Sequence, residues 1–191
     1  MESEIARTLA LIQVLHEGQF DWTGAPYWQH PCDVMNLLPA GSQLERKLIA
    51  LLHDVIEDCK VKIAELLGVP VASVTTEVAA QYLRDCGYCA WVVRGVTLLT
   101  RDKGVSYLDE IRAIVESGHL DAMWVKLCDN THNSDPERIA KMAPEVKTRH
   151  RSMSRRYARS KVILRRGIID RTAKLDNPIA KVQASALTHH A

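Results

Sequence analysis

Phenylalanine is almost missing from this chain: one residue in 191, beside five Tyr, four Trp, seven Pro and nine Gly. With Ala, Leu, Arg and Lys abundant, so few aromatics and turn-formers favour helices over sheet. No apolar run approaches the roughly 18 residues that span a bilayer. The opening MESEIAR begins acidic and lacks the basic-then-apolar order of a secretory signal, so a cytoplasmic protein with no membrane partner is expected. No G-x-x-x-x-G-K-[ST] loop occurs, which excludes that route to phosphate binding. The five cysteines are odd in number and lack a disulfide-framework spacing. Cys86 and Cys89 form a single C-x-x-C with no second pair to complete a structural zinc site, and buried thiols are the expectation there.

What is present is an ordinary globular composition, 47% hydrophobic and 25% charged, in a length that suits one domain with its own core. The net charge of +2 is unevenly spread. Residues 138–181 hold 14 Lys and Arg against Glu145, Asp170 and Asp176, a net of +11, which leaves −9 for the remainder. A solvated helix face accounts for such a segment, and so does attraction of a polyanion such as nucleotide phosphates or RNA.

Apolar periodicity predicts an all-α chain. Ile5, Leu9, Ile12 and His16 mark a first helix ending near Gly18; residues 20–27 read as a loop. Pro31 sits at a helix start with His30 before it and Val34, Leu37 and Leu38 on the buried side. One longer helix is predicted from Gln43 to Asp58, then shorter ones over 63–67 (closed by Gly68), 78–83, 88–99, 107–117 and 120–131. A helix pair is predicted from Pro136 to about Gly167. The expected organisation is a domain over 1–167 and a tail over 168–191.

Within the long helix, LLHDVIED (residues 51–58) sets an imidazole beside three carboxylates in an apolar run. On a continuous helix Glu57 lies one turn beyond His53 and Asp54 on nearly the same face. Burying such groups unpaired costs several kcal/mol, on the order of 2–7 for a polar group and more for a charge, and ion pairing or a metal offsets it. Metal-type ligands also occur at His30 and at Asp129. Singly, each reads as a hydrogen-bonded structural residue.

Their ordered pattern is more specific. HEGQ from His16, GAPYWQHPCDV from Gly24, ALLHDVIED from Ala50, RGVTLLTR from Arg94, VKLCDNTHNSDP from Val125 and YARSKVIL from Tyr157 together resemble the HD-domain metal-dependent phosphohydrolases. Within them the branch is the guanosine-tetraphosphate hydrolases, including the short stand-alone alarmone hydrolases, and the resemblance covers about residues 6–165. It implies a single HD-domain helical bundle with a C-terminal helical extension. It also implies that His30, His53, Asp54 and Asp129 bind one divalent metal, Mn²⁺, a donor set of two imidazoles and two carboxylates that suits such an ion. Glu57 and Asp58 would then orient or deprotonate the attacking water and assist the leaving group.

The nucleotide-contacting part departs from the family pattern. Asp21, Trp22 and Thr23 stand where the large bifunctional enzymes carry Arg-Lys-Ser, and Asp129, Asn130, Thr131, His132 and Asn133 stand where the family has Asp-Arg-Leu-His-Asn. Trp22 would stack on a base or cover the core; Thr23 belongs to the same substrate segment. Lys126 and Arg101 would meet phosphates. Asn133 would bond ribose or cap the helix beginning near Asp135.

The implied function is removal of the 3′-pyrophosphate from guanosine tetra- or pentaphosphate, a stringent-response activity. Alternatives keep the metal chemistry but act on another nucleotide, such as the 2′-phosphate of NADPH, or on a tRNA 3′ end as an antitoxin, with tRNA held by the basic segment. A regulatory module without catalysis would not require the Glu57 and Asp58 pair.

Overall fold

The computed structural model describes residues 2–101 and 104–176, which form helices and turns with no strand among them. In chain order these are α1 (Glu2–Leu15), α2 (Gln29–Asn36), α3 (Leu44–Leu52), α4 (Val55–Asp58), α5 (Lys60–Leu67), a 3₁₀ turn over Val71–Ser73, and α6 (Thr76–Asp85). There follow α7 (Ala90–Leu99), α8 (Tyr107–Glu116), α9 (Leu120–Asn133), α10 (Pro136–Lys141) and α11 (Pro144–Asp176). The architecture is all-α, as composition and periodicity predict.

Five consecutive residues, Leu48 to Leu52, are buried in α3. A helix hides its whole circumference only when neighbours cover every side, and here α1, α2, α7 and α9 surround it. The approach of α7 is close. A Cβ added at Gly95 would lie 2.6 Å from Ile49 Cδ1 and 3.1 Å from His119 Cε1, so the missing side chain sets the distance between the two helices.

The long predicted helix is not continuous. It breaks between α3 and α4, at His53 and Asp54. The His53 ring donates from Nδ1 to the Ala50 carbonyl at 2.8 Å, and Asp54 sits at φ −99°, ψ −5°, off helical values. The carbonyl that a regular next turn would use is thus engaged by a side chain.

Leu37, expected on the buried side of α2, is 46% exposed at the helix C-cap. The 3.6-residue pattern was extended one residue beyond where the helix ends. Gly167 is likewise not a helix end. It lies inside α11, where a Cβ would meet Val115 Cγ1 at 2.7 Å. Its role is the close approach of α11 to α8, and the helix continues to Asp176 along a stripe through Ser160, Leu164 and Ile168. Of the tail predicted from 168, residues 177–191 lie outside the described residues. No helix among those described is long and apolar enough to cross a membrane.

Candidate metal centre

Three separate elements deliver the four expected ligands to one place. His30 comes from the first turn of α2, His53 and Asp54 from the break after α3, and Asp129 from the last turn of α9. His30 Nε2 lies 3.6 Å from Asp54 Oδ2 and 3.3 Å from Asp129 Oδ1. His53 Nε2 lies 3.1 Å from Asp54 Oδ2 and 3.9 Å from Asp129 Oδ1. Donor atoms of His30, His53 and Asp54 all fall within 4.8 Å of one another, a spread that one ion bonded to each at about 2.0–2.2 Å would draw together.

Two details fit a cation. His53 Nε2 is buried and has no hydrogen-bond partner, while Nδ1 is occupied by the Ala50 carbonyl, so the free nitrogen faces the carboxylates. The donor set itself, two imidazoles and two carboxylates, is that of a borderline-to-hard divalent ion. Electrostatics agree. Burial works against charge at His53, but Asp54 and Asp129 outweigh it and raise the imidazole to about 9. Burial likewise opposes ionisation of Asp54 and Asp129, yet His53 holds the first, and Lys126 with the histidines the second, well below the usual carboxylate range. Imidazolium at His53 and ammonium at Lys126 balance the two carboxylates, and a divalent cation held there would displace the His53 Nε2 proton.

Each ligand is oriented by a further group. The Tyr27 hydroxyl donates to Asp54 Oδ2 at 2.8 Å. Lys126 Nζ donates to Asp129 Oδ2 at 2.9 Å, and Asn133 Nδ2 donates to Asp129 Oδ1 at 2.5 Å. His30 Nδ1 lies 2.7 Å from His132 Nδ1.

A cavity of about 320 Å³ opens over these residues, within the range of small-ligand sites. Glu57 and Asp58 stand at its rim. Glu57 Oε2 accepts from the Arg101 backbone N–H at 3.2 Å. Burial, then the nearby Asp54 and Glu57 charges, push Asp58 up to about 6, so this carboxyl exchanges a proton near neutral pH.

The remaining predicted residues divide. Trp22 lines the cavity, 42% exposed and edge-on to His150 with centroids 6.0 Å apart. Thr23 is not brought to it; its hydroxyl donates to Asp21 Oδ1 at 2.7 Å, and it faces a second cavity. Lys126 lines the cavity with its ammonium engaged by Asp129, and Arg101 lies on the rim with Nε 3.2 Å from Glu110 Oε2. Asn133 does not cap α10, a task performed by Asp135 through the Glu137 N–H. Asn133 instead spans Asp129 and Arg138, whose NH1 donates to Asn133 Oδ1 at 2.9 Å.

Arg138, Tyr107 and Tyr157, assigned no role from the sequence, also line the cavity, as does Arg156 of the basic segment. Arg138 NH2 donates to Asp21 Oδ2 at 2.9 Å, so the acidic residue in the loop before α2 carries a buried guanidinium in from α10. The two lie 117 positions apart; the signal available was the acid of Asp21 standing where a cation is expected. Cys86 and Cys89 are unpaired, as are the other three cysteines.

The chain matches no protein-family model, and no curated protein matches it.

Proposed function

We propose that this protein is a metal-dependent phosphohydrolase acting on a nucleotide, with the 3′-pyrophosphate of guanosine tetra- or pentaphosphate as the substrate tested first. The observation that carries this reading is the convergence of His30, His53, Asp54 and Asp129 from three elements, with His53 Nε2 buried and turned toward the carboxylates. A divalent cation held there, Mn²⁺ on this donor set, supplies Lewis-acid polarisation of a phosphate oxygen and acidifies water.

The chain's own groups do the rest. Asp58, poised near 6, takes the proton of the attacking water, and Glu57, fixed by the Arg101 N–H, orients that water. The water oxygen bonds to phosphorus, the phosphorus–oxygen bond to ribose breaks, and the proton returned to the ribose oxygen completes the hydrolysis. Arg138 and Arg156 supply positive charge to the phosphates, and Trp22, Tyr107 and Tyr157 offer ring faces to a base.

The test is release of pyrophosphate or phosphate by the purified chain with Mn²⁺, across guanosine tetraphosphate, guanosine pentaphosphate, NADPH and tRNA bearing a 3′-pyrophosphate. Turnover of one substrate, lost in His53→Ala, is expected. Absence of turnover on all four, or turnover retained in His53→Ala, overturns the reading.

The tRNA reading has one observation in its favour. Arg156 lines the cavity from α11, and Arg155 and Arg159 are exposed beside it, so a polyanion on that helix would reach the site. Neutralising Arg155 and Arg159 separates the two: activity on free nucleotide persists if the substrate is small.

A further inference from the structure

Residues 20–26 double back on themselves, with one antiparallel bridge between Phe20 and Pro26. The Asp21 N–H donates to the Ala25 carbonyl at 2.8 Å, and the Gly24 N–H donates to the Asp21 carbonyl at 3.0 Å. Trp22 stands within this turn and lines the cavity over the candidate metal centre. The ring is 42% exposed and meets His150 only edge-on, so packing fixes it in part and the backbone beneath it must do the rest.

The Asp21 carboxylate holds that backbone. Its Oδ1 accepts from the Thr23 N–H at 2.8 Å, the Thr23 hydroxyl at 2.7 Å and the Ala25 N–H at 3.1 Å. An acid bonded to the N–H two residues on closes an Asx turn, and Trp22 is the central residue of this one. Thr23, expected to meet substrate, is a brace of the turn.

The second oxygen points elsewhere. Asp21 Oδ2 accepts from Arg138 NH2 at 2.9 Å, with only 9% and 11% of the two side chains exposed. Arg138 NH1 donates to Asn133 Oδ1 at 2.9 Å. The guanidinium is thereby aimed from two sides, while three of its five N–H groups are left for other acceptors, and it lines the same cavity as Trp22.

From this division of labour we infer that Asp21 is a positioning residue with two separable tasks: Oδ1 sets the Trp22 ring and Oδ2 sets the Arg138 guanidinium, so that ring and cation face one ligand bearing both a base and a phosphate. The inference rests on the reading of the cavity as a nucleotide site. An acid with a structural role alone would need the turn or the ion pair, and neither would have to end at the cavity wall.

The two oxygens can be separated by substitution. In Asp21→Asn the amide oxygen can still accept from Thr23 and Ala25, but the amide nitrogen only donates and cannot receive Arg138. Asp21→Ala removes both tasks. Steady-state kinetics of the full chain with Mn²⁺ on guanosine tetraphosphate are expected to show KM raised about tenfold by Asp21→Asn, the scale of a hydrogen bond between charged groups, with a smaller change in turnover number. Combined with Arg138→Gln it should add nothing to the effect of Arg138→Gln alone, whereas combined with Trp22→Ala the two effects should multiply. Asp21→Ala should match Trp22→Ala and Arg138→Gln together. Thermal melts check each fold, and the Asp21→Asn, Arg138→Gln pair leaves no buried charge unpaired should the single variant fail to fold. Wild-type KM in Asp21→Asn overturns the inference. So does multiplication of the Asp21→Asn and Arg138→Gln effects, or equal damage from Asn and Ala.

A wild-type chain that hydrolyses no nucleotide defeats the functional reading, and hydrogen exchange then judges the turn without substrate. The Thr23 and Ala25 amides should be protected in the wild type and in Asp21→Asn. Exchange of both at unprotected rates in the wild type overturns the task given to Oδ1 whatever the activity.

Discussion

Lys126 Nζ meets Asp129 Oδ2 at 2.9 Å, one turn apart on α9, with only 12% and 7% of the two side chains exposed. Burial opposes the charge on Lys126, but Asp129 outweighs it and raises the ammonium above its ordinary value. The lysine thus holds the second oxygen of Asp129 while the first faces the histidines. Lys126→Met should destabilise the metal-free protein by about 3–5 kcal/mol, the scale of breaking a buried pair, as measured by urea unfolding. Saturating Mn²⁺ should recover part of that loss. A lysine that served substrate phosphate alone would instead raise KM and leave stability unchanged.

Gly167→Ala tests the crossing of α11 over α8. Helix propensity alone favours Ala by roughly 1 kcal/mol. The added Cβ would meet Val115 Cγ1 at 2.7 Å and Cγ2 at 2.9 Å, and a β-branched side chain has little freedom to turn away. The expected outcome is net destabilisation of about 1–3 kcal/mol, the range for overpacking, read from urea midpoints. A stabilised variant would show that α11 yields at this contact.

His119 gives the fold an acid limit. The ring accepts from the Ala122 N–H through Nδ1, donates to the Trp91 carbonyl through Nε2, and lies flat on the Trp91 indole with centroids 3.9 Å apart. Burial is the main reason its pKa falls below the ordinary 6.5. The unfolded chain therefore binds the proton more readily than the native one. This stabilisation is fully present above about 6.5 and is lost as pH falls through the native value. Melting temperature should drop between pH 7.5 and 5, and His119→Asn, which keeps a cap for α9, should lessen the drop. Part of it will remain, because burial lowers His16 in the same sense.

Arg138 is the cation that Asp21 brings to the cavity. Arg138→Gln should raise KM for a phosphorylated nucleotide by about tenfold or more, corresponding to hydrogen bonds to charged groups worth roughly 1.5–3 kcal/mol. The turnover number should change less, and steady-state kinetics on whichever substrate is hydrolysed measure both.

Much of this fold is legible in the sequence because helical burial leaves a 3.6-residue imprint. Even Trp91, Val92, Val93 and Val96, β-prone taken singly, lie in α7, where packing on α3 decides. The break at His53 leaves no such imprint, since a side-chain bond to a carbonyl one turn back is a choice made in three dimensions. Gly167 has the same letter whether it ends a helix or admits a neighbour. The four expected ligands stand out through ordered motifs, and Tyr27 does not, because a tyrosine hydroxyl carries no spacing rule. The link from Asp21 to Arg138 joins positions that no local pattern connects.

The central place of α3 has one further consequence. His53 and Asp54 hang from the end of a rod that four helices surround, so the freedom of these side chains is surrendered when the chain folds and little would be left to surrender on capture of an ion. Folding and ion capture then draw on the same order. A cation present at 100 times its dissociation constant should add about 2.7 kcal/mol to the resistance of the whole bundle to unfolding.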